Sequence, residues 1–173
     1  QSGVDRLEIV MVDCCSDDTT VQRALEIAPD IRLVRYIGKY YPGKAINLGI
    51  EALPDVEYII VLSAHCVPLG DKWLHDFLAP LESDRRLAAS YCRQIPTSAS
   101  TSENRRDLLN TFSVESRIQN KDTFFHNASS LFRRTLWEEV QFDESLNHVE
   151  DRHWASALIA RSYQIFYNAE CVV

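Results

Sequence analysis

Glu150 and Asp151 stand side by side at the head of the helix-like run EDRHWASALIA. A carboxylate set against a substrate hydroxyl can take its proton as a new bond forms, so the pair is a candidate general base. Two acids there would equally suit the positive end of a helix dipole. Ser63 and His65 follow the apolar run of residues 57–62 (EYIIVL), with Cys66 next in line. An imidazole can move a proton near neutral pH or ligate a metal. One His beside one Cys is not a metal-binding set, however, and a Cys–His nucleophile pair would need an orienting acid that the sequence does not assign. Residues 38–44 (GKYYPGK) carry the G-x-x-x-x-G-K spacing of a phosphate-binding loop, between a strand-like and a helix-like stretch. The next residue is Ala45, so the hydroxyl that would hold Mg²⁺ is missing, and Ser63 stands where a second metal-binding acid is expected. What remains is a glycine turn at a helix start and the positive charge of Lys44.

The elements that must position these groups alternate. Residues 7–12 (LEIVMV) form an apolar run of the kind a buried parallel strand shows. Ser16, Asp17 and Asp18 supply the cap and first-turn acids of a helix with Val21, Ala24, Leu25 and Ala28 on one face, stopped by Pro29. Residues 31–37 read as a second strand. Gly43 opens a helix with Ile46, Gly49, Ile50 and Leu53 inward, and residues 57–62 are a third strand. A helix after Pro68 carries Trp73, Phe77, Leu78 and Leu81, and residues 87–92 are a fourth strand. Residues 95–104 (IPTSASTSEN) read as a polar loop, 105–118 as a helix, 123–132 as an aromatic strand, 151–160 as a helix and 164–167 as a last strand. This pattern predicts an α/β fold: an open mixed, mostly parallel sheet with helices on both faces. Ligands in such sheets bind beyond the carboxyl ends of the strands, where Asp13, Ser63, His65, Arg93 and Gln94 fall.

Composition sets the outer bounds. The chain has 173 residues, 18 Lys plus Arg against 25 Asp plus Glu, a net charge of −7 and 46% hydrophobic residues. That is one globular domain, not a disordered or collagen-like chain. The apolar runs are too short for a membrane-spanning helix. The acidic balance argues against a nucleic-acid surface. Five cysteines without C-x-x-C spacing read as reduced thiols in a cytoplasmic setting.

Five segments, in order over nearly the whole chain, resemble family 2 glycosyltransferases of the GT-A fold. They are residues 7–20 (LEIVMVDCCSDDTT), 42–50 (PGKAINLGI), 58–74 (YIIVLSAHCVPLGDKWL), 127–144 (NASSLFRRTLWEEVQFDE) and 150–155 (EDRHWA). Ser63-Ala64-His65 in place of the family's D-x-D, with residues 91–96 (YCRQIP), is similar to the rhamnosyltransferase branch. The resemblance implies a single domain over 1–173, with a nucleotide-binding half (1–94) and an acceptor and catalytic half (95–173). It implies inverting transfer of a sugar from a nucleoside-diphosphate donor to an acceptor hydroxyl, in glycan or polysaccharide synthesis, on a glycan or lipid-linked acceptor at the inner face of a membrane. Asp151 would be the base and Glu150 would shape its pocket. Asp13, Lys44 and Asn47 would face the nucleotide donor, Ser63 and His65 its diphosphate, and Gln94, Asn127 and Trp154 the sugar and acceptor. A divalent cation, Mg²⁺ or Mn²⁺, would have His65 as its ligand here. The family's opening strand and helix have no counterpart in this sequence. The expectation is therefore a truncated domain whose run 7–12 lacks a neighbour, to be filled by rearrangement, by a second copy in a dimer, or by solvent. The alternative is a non-catalytic module that binds nucleotide or nucleotide sugar on the same fold.

Overall fold

The computed structural model describes Val4 and residues 6–173. In chain order its elements are β1 (Val10–Asp13), α1 (Thr20–Ile27), β2 (Arg32–Arg35), α2 (Pro42–Ala52), β3 (Tyr58–Leu62), α3 (Trp73–Ser83) and β4 (Leu87–Arg93). There follow α4 (Ser102–Thr111), β5 (Arg117–Gln119), β6 (Ser129–Arg133), α5 (Arg134–Glu139), α6 (Glu150–Ala160) and β7 (Gln164–Val172). β1 and β2 pair in parallel across the α1 crossover, Asp13 lying opposite Arg35. The other five strands form one sheet in the order β3-β6-β4-β7-β5.

Alternation along the strands sends side chains to opposite faces and builds a core on each. Phe132, Ile165 and Tyr167 pack with Leu136 and Trp137 of α5 and Trp154 and Leu158 of α6. Leu131, Cys92 and Cys171 pack with Phe77 and Leu81 of α3. Helices thus cover both faces of an α/β fold, as expected. α2 ties the two sheets together. A Cβ at Gly49 would lie 3.0 Å from Val12 Cγ2, so only glycine lets the helix sit this close on β1, while Ile50 belongs to the same core as Ile59 of β3.

The structure corrects several sequence expectations. The sheets are mixed, as expected, but parallel pairs do not predominate: β3–β6, β4–β6 and β5–β7 are antiparallel, and β1–β2 and β4–β7 are parallel. The chain reverses between β4 and β5, where α4 leads into a strand that returns against β7, so β5 and β6 run opposite to β3, β4 and β7. The predicted 105–118 helix is α4 plus β5, because Thr101 caps the helix early by accepting from Asn104 N at 3.2 Å and Phe112 turns into the core. The aromatic run 123–132 is strand only from Ser129; Phe125 is fully buried without entering a ladder. β1 begins at Val10, three residues later than the apolar run, and Leu7 and Ile9 are exposed. Among the described residues, the second edge of β1 and the outer edge of β3 have no strand partner. No helix among them is long and apolar enough to cross a membrane.

Candidate active site

The polar groups singled out by sequence lie where β1, β3 and β4 end and where β6 and α6 begin. The end of β3 is fastened to the start of β6: Ser63 N donates to the Ala128 carbonyl at 2.9 Å, and Cys66 N donates to the Ser63 carbonyl at 2.9 Å. That turn carries His65 in an exposed position. The end of β4 delivers Gln94, whose Nε2 lies 3.2 Å from His126 Nδ1. Asn127, just before β6, is buried, and its Oδ1 accepts from Ser130 Oγ at 2.9 Å. Its Nδ2 is a buried donor that makes no well-formed hydrogen bond, although the side chain stands close enough to Glu150 to favour that carboxylate. A buried donor left open costs stability unless a ligand uses it.

α6 opens with Glu150 and Asp151 in its first turn, where the helix dipole favours a negative charge. Val149, just ahead of them, sits at φ +61°, in the left-handed region that a β-branched residue avoids. Cys15, two residues beyond Asp13, has φ +65°. Strain of this kind gathers where the chain is forced to present a group, and here it brackets the site from two sides. Glu150 is buried, and burial pushes its carboxyl above the ordinary range; the neighbouring Asp151 adds to this, while its own backbone, Asn127 and His148 pull it back. Asp13 behaves oppositely. Hydrogen bonding from Ser16, with Arg35 3.2 Å from its Oδ2, holds its carboxyl below the usual range despite burial.

His126 marks the middle of the arrangement. Burial pushes its imidazole down, Asp151 pushes it up, and His65 and Arg152 push it down again. Asp151 and His65, 86 positions apart in number, therefore act on one ring. Burial pushes the hydroxyl of Tyr40, just ahead of α2, upward, and Cys14, Glu150 and Tyr36 add to this. Lys44 is exposed, its Nζ 5.8 Å from the Tyr36 ring centre.

Two predicted ligand contacts are built into the core instead. Asn47 donates through Nδ2 to the Phe142 carbonyl at 2.9 Å and to Glu144 Oε1 at 3.1 Å. Its Oδ1 accepts from Trp137 Nε1 at 2.9 Å and Phe142 N at 3.3 Å. Those four bonds exhaust the amide, so Asn47 positions the 142–144 loop and does not face a donor. Trp154 is fully buried, stacked on Phe142 with ring centres 5.0 Å apart and donating from Nε1 to the Val140 carbonyl. It lines no crevice. The phosphate-loop reading of 38–44 also fails. Tyr36 OH donates to the Lys39 carbonyl at 2.6 Å and accepts from Tyr41 N at 3.2 Å, and a Cβ on Gly43 would meet the Asp143 carbonyl at 2.6 Å. The Tyr41 N–H is thus taken by a side chain, and Gly43 is pressed against the 142–143 backbone, which leaves no room there for a phosphate. A cavity of about 600 Å³ opens at the far end of β3 and β6, against Tyr58, Arg133 and Glu139. It lies away from the strand ends where the strained backbone and the acid pair collect, and Arg133 is already engaged with Tyr58 and the Leu81 carbonyl.

Comparison with known proteins agrees with the fold. Residues 1–141 match Glycosyl transferase family 2. The mannosyltransferase PcManGT from Pyrobaculum calidifontis, solved with GDP-Man and Mn²⁺, superposes with a TM-score of 0.70 at 21% identity, covering 96% of this chain and 47% of that one. TarS of S. aureus in complex with UDP gives 0.73 at 15% identity over 96% of this chain and 50% of that one. GalNAc-T7 with UDP, GalNAc and Mn²⁺ gives 0.71 at 14% identity over 95% and 37%. The chain spans half or less of the length of each. No protein of curated function matches the sequence significantly. Two of these neighbours hold Mn²⁺. Here, among the described residues, no group of three His, Cys, Asp or Glu side chains could hold a metal ion, and Ser63 and His65 occupy the stretch where two carboxylates were expected. A hard divalent cation prefers several carboxylate or carbonyl oxygens, so these side chains do not fit one at His65. With its α/β architecture like that of GT-A glycosyltransferases and the match over residues 1–141, this chain belongs to Glycosyl transferase family 2.

Proposed function

We propose that the crevice transfers a sugar from a nucleoside-diphosphate donor to an acceptor hydroxyl with inversion, in glycan or polysaccharide synthesis. Asp151 takes the acceptor proton as the acceptor oxygen bonds to the anomeric carbon and the bond to the diphosphate breaks; the nucleoside diphosphate leaves. Glu150, whose carboxyl burial pushes above its ordinary range, shapes the acceptor pocket beside Asp151. Asp13 and Lys44 serve the nucleotide, and Ser63 and His65 the diphosphate. Asn127 and Gln94 serve the sugar, Asn127 through its open Nδ2 donor. The observation that supports this most is that Asp151, on the first turn of α6, and His65, in the turn after β3, both influence the half-buried His126 ring at the strand ends. The test is nucleotide release from GDP-mannose or UDP-N-acetylgalactosamine. Asp151→Asn should lower kcat by roughly 10²–10⁴-fold, the usual worth of a positioned base, with nucleotide affinity unchanged. Equal turnover by the variant would refute the assignment.

The Ser-Ala-His donor set favours a second reading, a module that binds nucleotide sugar without transferring it. Under that reading, nucleotide raises the melting temperature of the wild-type protein while neither donor is turned over.

A further inference from the structure

His126 carries no spacing signal in the sequence, and the proposed reaction gives it no task. Its Nδ1 accepts from Ala128 N at 3.1 Å and lies 3.2 Å from Gln94 Nε2. A backbone N–H can only donate, so Nδ1 is unprotonated and the neutral ring holds its one proton on Nε2. The ring plane is held as well: Phe112 stands edge-on at 5.9 Å and Phe124 is tilted at 6.4 Å between ring centres. Nε2 has no hydrogen-bond partner among the described residues, although Nδ1 is bound inward and the ring is half-buried. The charged and titratable groups facing it are Asp151 and Arg152 of α6 and His65 of the turn after β3. Burial is the largest influence and disfavours the imidazolium. The result is a neutral donor oriented by the Ala128 N–H bond to Nδ1, in the field of the Asp151 carboxylate, on the residue next to Asn127. Such a group suits a hydroxyl oxygen. A phosphate would gain more from a cation, whereas a hydroxyl bound to an uncharged N–H keeps its own proton free to donate.

We propose that His126 is a sugar-binding residue, its Nε2–H donating to a hydroxyl oxygen of the donor's pyranose while the bond from Ala128 N–H to Nδ1 fixes the tautomer and the aim. This rests on the crevice being a nucleotide-sugar site. The experiment is ¹⁵N NMR of the histidine rings in the full chain, titrated with GDP, UDP, GDP-mannose and UDP-N-acetylgalactosamine, beside the same titrations on His126→Asn. Asn can keep the inward acceptor for Ala128 N–H but has nothing in place of Nε2. Expected are an Nε2-protonated neutral ring at pH 7, and an Nε2–H resonance that a sugar nucleotide moves and bare nucleotide does not. The variant should have unchanged melting temperature and nucleotide affinity, with sugar-nucleotide affinity about tenfold weaker, the loss typical of one hydrogen bond. A proton on Nδ1, equal shifts with bare nucleotide, or a variant that binds sugar nucleotides like the wild type would each overturn it. So would a variant that loses bare nucleotide equally, since that marks a structural role. Wild-type protein that binds none of the four would instead overturn the nucleotide-sugar reading, and this assignment with it.

Discussion

In α1 no side chain is buried, whereas β4 is buried along six successive residues. The β1–β2 pair and its helix expose Leu25, Ile27 and Ile37, and they are held to the rest mainly where α2 presses Gly49 onto Val12. The five-stranded sheet is packed on both faces. Asp151, the proposed base, and its neighbours stand on the second region, while Asp13, assigned to the nucleotide in the same proposal, and the Tyr36–Tyr40 loop belong to the first. A group that must meet a reacting atom within fractions of an ångström profits from a rigid support, and a nucleotide wall can tolerate a softer one.

Three substitutions break or sharpen that contrast. Trp154→Ala removes the centre of the larger core and should cost about 3–5 kcal/mol in urea denaturation; a loss under about 1 kcal/mol would mean the five-stranded region is not the stiff one. Asn47→Ala leaves Trp137 Nε1 and Phe142 N without their acceptor and frees the loop beside α2. It should cost about 2–3 kcal/mol and raise amide exchange in β1 along with the 142–144 loop, because α2 joins the regions. Exchange changes confined to residues 142–144 would show that the regions are uncoupled. Val149→Gly relieves a left-handed β-branched residue and should stabilise the protein by about 1 kcal/mol, read as a higher urea midpoint. A destabilised variant would mean the strain at φ +61° lies elsewhere.

Much of the frame was legible because its signals are local. α2, α3 and α6 show helical periodicity and stop residues, and β3 and β4 are short apolar runs bounded by turns. The lapses share a cause. Phe124 and Phe125 have strand-like side chains, yet they pack as irregular chain around Tyr91, and no local rule distinguishes the two uses. α5 is six residues long, too short for periodicity to register. Asn47 and Trp154 have side chains that suit a binding site, but Asn47 meets Phe142 across 95 positions, a contact no spacing reveals. Asp151 and His65 were readable as chemistry, and His126 was not. Its meaning comes from Ala128 and Gln94 closing on Nδ1, and only the aromatic residues flanking it hinted at a sheltered ring.

The central claim is that ligand binds at the strand ends bracketed by Asp13, His65, His126 and Asp151. Amide hydrogen exchange with and without saturating UDP or GDP-mannose tests it most directly. The account predicts protection in residues 13–16, 62–66, 93–95, 126–128 and 149–152, with residues 133–139 unchanged. Protection concentrated at Tyr58, Arg133 and Glu139, around the opposite cavity, would contradict it.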